Sequence, residues 1–110
     1  MRTKVRIFVR FKTINMATSK EYRDFVVEQT GFGDEIMTRQ MMGEYLLYYQ
    51  GKHIGGIYDN RLLVKKTSTN ARFNHPDAVP YPGAKPMLQV NVDDRDEVRE
   101  VIAATADGVN

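Results

Sequence analysis

The chain has 110 residues, 42% of them hydrophobic and 27% charged, with a formal net charge of +2 and no cysteine. That length suits one domain and leaves no room for two, and the missing cysteine excludes disulfide frameworks, thiolate metal sites and cysteine nucleophiles. No apolar run approaches the roughly 18 residues of a membrane helix and no secretory pattern is present, so the cytoplasm is the expected compartment and no membrane partner is expected.

Charge separates the first 15 residues from the rest. Arg2, Lys4, Arg6, Arg10 and Lys12 give them five bases and no acid, while the remaining 11 bases face all 14 acids, a formal −3. Within this stretch Val5, Ile7, Val9 and Phe11 alternate with basic residues, as in an edge strand that discourages further pairing. Residues 1–15 are therefore read as a basic leader, an upstream extension of a domain spanning residues 16–110.

Thr18-Ser19-Lys20-Glu21 has the form of a capping box, with Thr18 as cap and Glu21 reaching back. Tyr22, Phe25, Val26 and Gln29 follow at helical spacing and are expected to face inward, until Gly31 and Gly33 end the helix. From Ile36 the period changes to two. Ile36–Met42 and Glu44–Tyr49 read as extended, with Gly43 marking a bulge or sharp bend between them. Gln50-Gly51-Lys52 turns into His53–Tyr58, and Asp59-Asn60 turns into Arg61–Lys66, completing an antiparallel meander. Thr67–Phe73 is expected to be a short helix. A proline loop follows, with Pro82-Gly83 suited to a type II turn. Met87–Val92 reads as a last strand, and Asp93 or Asp94 caps a closing helix whose Val98, Val101, Ile102 and Thr105 share one face. Helices segregated on an antiparallel sheet make the expected class α+β.

Three segments of the meander, Arg39-Gln40-Met41-Met42-Gly43-Glu44-Tyr45, Tyr48-Tyr49-Gln50-Gly51-Lys52 and Asp59-Asn60-Arg61-Leu62-Leu63-Val64-Lys65, together with Tyr81-Pro82-Gly83-Ala84-Lys85-Pro86, resemble successive signatures of the N-terminal domain of the TfoX/Sxy family. The likeness runs from about Met16 to Asp107; Met42 stands where the family pattern usually has phenylalanine. The resemblance implies a two-layer α-β3-α-β2-α arrangement of the secretion-chaperone-like type, often self-associating. Two-domain members regulate competence genes, and their helix-hairpin-helix-like second domain has no counterpart in these residues.

On these segments Arg39, Lys52, Arg61, Lys65 and Lys85 supply cations suited to an oxyanion or an acidic partner, against the commoner fate of a solvated face. Tyr45, Tyr48, Tyr49 and Tyr58 make an aromatic hairpin, which points to core or dimer packing before base stacking. The candidate interaction surface is thus Arg39, Tyr45, Tyr48, Lys52, Arg61, Lys65, Tyr81 and Lys85. His53 and His75 lack metal-ligand spacing, Gly55-Gly56 reads as close backbone packing or a bulge, and the acids at Asp93–Glu97 serve a helix start. No catalytic residue, cofactor or metal is expected. The expected function is a regulatory or adaptor domain, not an enzyme, working as a homodimer with an unidentified protein partner. Nucleic-acid binding is the rival, disfavoured by the acidic body.

Overall fold

Three two-residue turns dictate the sheet. Met42-Gly43, Gln50-Gly51 and Asp59-Asn60 all have positive φ at both positions, between 51° and 85°. Those are the torsions of a type I′ hairpin, whose twist matches that of the strands it joins. The computed structural model, which describes residues 17–109, accordingly places β1 (Ile36–Met41), β2 (Glu44–Tyr49), β3 (Lys52–Ile57) and β4 (Leu62–Val64) as an antiparallel meander. Two further strands, β5 (Asp77–Ala78) and β6 (Met87–Val90), complete a six-stranded antiparallel sheet in the order β1-β2-β3-β4-β6-β5. Helices α1 (Lys20–Thr30) and α2 (Arg95–Asp107) flank it in sequence. The class is α+β. The basic leader lies outside the described residues.

Both helices pack on one face of the sheet. Val26 of α1 and Val98, Val101, Ile102 and Ala106 of α2 share a core with Tyr45, Leu47, Ile57, Leu62, Val64, Leu88 and Val90. The strand members are alternate residues, as a period of two requires for one face. The stripe expected on α2 is buried throughout, with Val98, Val101, Ile102 and Thr105 all at 0% exposure. On α1 the buried stripe is displaced: Val26 and Thr30 are buried, whereas Phe25 is 39% exposed, its ring tilted against that of Tyr22. Arg95 and Arg99 of α2 donate to the carbonyls of Glu28 and Thr30, so one helix caps the C-terminus of the other.

Two local readings are corrected. The cap of α1 is Ser19, whose hydroxyl accepts from the Tyr22 amide at 3.0 Å, and not Thr18. Thr18 is taken by tertiary bonds: its hydroxyl donates to Glu44 Oε1 at 2.6 Å and accepts from the Asn60 amide at 3.1 Å. The middle helix of the α-β3-α-β2-α arrangement is also absent from the described residues, replaced by a 3-10 turn over Ala71–Phe73 behind a fourth meander strand. Side chains explain this. Thr67 and Asn70 bond each other's backbone amides reciprocally, and fully buried Asn70 also donates to Lys65 O and Thr105 Oγ1. Such closures compete with helical hydrogen bonds.

A β-bulge shifts the β2–β3 register at Leu47/Tyr48, beside Gly55-Gly56. A Cβ on Gly55 would lie 2.8 Å from Val64 Cα, with the Leu63 carbonyl closer still. Neither atom is free to move, because both belong to the paired strand. Gly55→Ala is therefore expected to cost about 3 kcal/mol or more, read as a lower urea midpoint at unchanged m-value. Glu44→Ala, which strips the carboxylate from the Thr18 and Asp59 amides and the Thr18 hydroxyl, should cost about 2 to 3 kcal/mol in the same assay.

Candidate functional site

The opposite face of the sheet carries no helix among the described residues. The parity that sends Tyr45 and Leu47 into the core sends Leu46 and Tyr48 the other way, and register places Met37 across from Tyr48 and Arg39 across from Leu46. At the β1 margin this face is apolar and open. Met37 is 63% exposed, Met41 51% and Met42 95%. Met42 also holds a left-handed backbone (φ 53°), which a bulky side chain adopts at a cost.

Farther across, the loop between β5 and β6 folds over the face. Pro82 and Gly83 form its tip, with Gly83 at φ 88° and Ala84 N–H donating to Tyr81 O at 3.1 Å, a type II turn. The loop is fastened by Arg61, which donates to Tyr58 O and Val79 O. Tyr58 is buried against Gly56, where an added Cβ would lie 2.6 Å from its ring, and its ring centroid is 6.4 Å from that of Tyr81. Two depressions flank this pair of tyrosines. One, of about 450 Å³, is lined by Met41, Met42, Glu44, Leu46 and Pro80 with both tyrosines. The other, an open groove of about 630 Å³, is lined by His53, Lys65, Lys66, Lys85 and Met87 among others, again with both tyrosines.

The sequence-derived candidates divide between the faces. Lys65, Lys85 and Tyr81 converge on the groove, Tyr48 meets the His53 ring at a tilt beside it with centroids 5.2 Å apart, and Arg39 lies on the same face nearer the edge. Tyr45 is buried on the helix side beneath the Arg23 guanidinium. Lys52 is directed there too, donating to Ala106 O at the end of α2, and Arg61 is occupied in holding the loop. His53 and Tyr58 were not among the candidates. Alternation alone would separate them, since they stand five residues apart; the bulge at Leu47/Tyr48 returns His53 to the face of Tyr58 and Lys65.

His53 is half-buried, and its Nε2 is shielded from water without a hydrogen-bond partner among the described residues. Burial, then the charge of Lys65, lowers its pKa against a smaller opposing hydrogen bond to the Gly55 backbone. Tyr58 titrates above its ordinary value, through burial first and then Tyr81 and Glu44, so its hydroxyl stays a donor at neutral pH. Among the described residues no cluster of three or more His, Asp or Glu is placed to hold a metal, and no helix is long and apolar enough to cross a membrane.

Comparison with known proteins adds one relative of note. The chain is 43% identical over 72 residues to an uncharacterized 12.7 kDa protein in the trpE 5′ region of Spirochaeta aurantia, a match covering 64% of this chain and 63% of that protein. The aligned region thus spans less than two thirds of the relative's length. No family model and no solved structure matches the chain.

The His53 shift has a definite sign. With the folded value below the ordinary 6.5, the unfolded chain binds a proton that the folded chain does not as pH drops below that value. The contribution of His53 to stability is therefore complete above about pH 6.5 and is lost as pH falls through the folded pKa. His53→Gln should flatten this slope: the difference in Tm between the two proteins is expected to shift in the variant's favour from about pH 7 to pH 5.

Proposed function

We propose that this chain is a small regulatory or adaptor domain acting through protein–protein contacts, and that it pairs with a second copy of itself across the β1 edge. The observation that carries the reading is the methionine cluster: Met37, Met41 and a nearly fully exposed Met42 held in a left-handed turn. A flexible, polarisable thioether suits a contact surface, and a strained, solvated apolar residue has no stabilising role in the isolated monomer.

Edge geometry supports a second copy as the occupant. Strand β1 pairs only with β2, so its outer backbone groups have no strand partner among the described residues, and an uncovered edge is a template for another strand. Antiparallel pairing of two β1 strands about Thr38 is self-complementary, as a two-fold interface must be. It sets each Met37 across from the other copy's Arg39 and keeps the two arginines out of direct register. The TfoX/Sxy resemblance adds the expectation of self-association and, by that resemblance alone, a link to competence or transcriptional regulation. Phosphate-driven binding has less to draw on, since the described residues carry 11 bases against 14 acids.

Light scattering tests the pairing. The wild-type protein is expected to give a dimer mass that falls to monomer in the Met37→Lys/Met41→Lys variant, with an unchanged far-UV spectrum. Met42→Asn, which suits the type I′ turn, should raise the Tm while weakening the dimer. A strict monomer at about 1 mM, where even a contact of about 4 kcal/mol is half-formed, rules the pairing out. Steeply salt-sensitive DNA binding would replace this reading with the nucleic-acid one.

A further inference from the structure

We propose that the groove between β3, β4 and the proline loop binds a small organic oxyanion with a planar, apolar body. This goes beyond the self-association, which uses the β1 side of the face. The lining contains three lysines, one histidine and two tyrosines and no carboxylate. Lys66 is already matched, 2.9 Å from Asp77 Oδ2. Lys65 and Lys85 have no ion-pair partner among the described residues, although acids outnumber bases there. Two uncompensated ammonium groups on one concavity attract a negative charge, and their donors suit carboxylate or phosphate oxygens.

The rest of the groove describes the other end of the ligand. Tyr58 and Tyr81 present rings at a 58° interplanar angle. Pro80, Pro86 and Met87 complete a wall that is mostly apolar. At about 630 Å³ the concavity falls within the range of small-molecule sites. A ring-sized body would cover Tyr81, which is otherwise 60% exposed. The Tyr58 hydroxyl remains protonated and available to donate. The His53 ring also borders this lining. An anion held by Lys65 and Lys85 favours its protonation through charge.

The headgroup chemistry is shared by carboxylates and phosphates, and the experiment separates them. Amide chemical shifts of the ¹⁵N-labelled protein are followed during titration with benzoate, phenyl phosphate and inorganic phosphate. Saturable shifts at Lys65, Lys66, Ala84, Lys85 and Met87 are expected with at least one aryl probe, and the tighter of the two identifies the oxyanion. Lys65→Ala and Lys85→Ala should each weaken binding about tenfold, while Lys85→Arg, which keeps the charge, should bind within about threefold of wild type. Both lysines are at least partly exposed, so these variants fold, and the dispersion of the same spectra verifies it. Failure of both aryl probes to saturate by about 20 mM overturns the site, as does binding unaffected by the double Lys65→Ala/Lys85→Ala change. Inorganic phosphate binding as tightly as phenyl phosphate overturns the planar body. A monomeric protein that still binds the aryl anion leaves this site standing without the dimer.

Discussion

One carboxylate holds together parts of the chain that are far apart in sequence. Glu44 Oε1 accepts from the amide and hydroxyl of Thr18 and from the amide of Asp59. Thr18 in turn donates its amide to Gly43 O and receives the Asn60 amide on its hydroxyl. The start of α1 and two hairpin turns are therefore tied at a single point. Hydrogen bonds to a charged acceptor are the stronger kind. With α1 fixed there, its Val26 is delivered to the core, and only one face of the sheet needs covering.

That one-sided covering creates the asymmetry on which function rests. The helix layer carries much of the acid, with Glu21, Asp24 and Glu28 on α1 and Asp96, Glu97, Glu100 and Asp107 on α2. The helix-free face carries Arg39, Lys65 and Lys85 beside exposed methionine and tyrosine. The two helices hold seven acids against four bases, Lys20, Arg23, Arg95 and Arg99, whereas the groove lining has lysines and no carboxylate. The apolar margin and the basic groove meet at Tyr58 and Tyr81, which line both depressions.

Much of the fold was legible because local chemistry and global architecture agree. Gly51, Asp59 and Asn60 are residues that tolerate positive φ, and α2 keeps its apolar spacing over two turns. Where reading failed, a side chain had a better use elsewhere. Thr18 and Ser19 are both good caps, and only the position of Glu44 decides between them. Met42 disguised a hairpin turn because methionine disfavours the torsion it adopts. The helix expected over Thr67–Phe73 gave way to the bonds of Asn70. The interaction surface was half legible for a reason of parity. Tyr45 and Tyr48 stand three apart on one strand, so they necessarily face opposite ways, and the bulge at Leu47/Tyr48 redirects Lys52 toward α2. His53 has no metal-ligating companions in sequence, and its place beside Lys65 depends on the bulge that sequence spacing does not show.

The succession of tight reversals also sets how this chain reaches its native state. From Ile36 to Val64 each strand meets its immediate predecessor across two to four linking residues, so little loop entropy stands in the way of pairing. A polypeptide wired this way assembles most of its sheet from neighbours, at the faster end of the range open to β-rich proteins. The larger closure cost falls on the distant partners: β6 pairs with β4 across the proline segment, and α2 packs on strands remote from it in sequence.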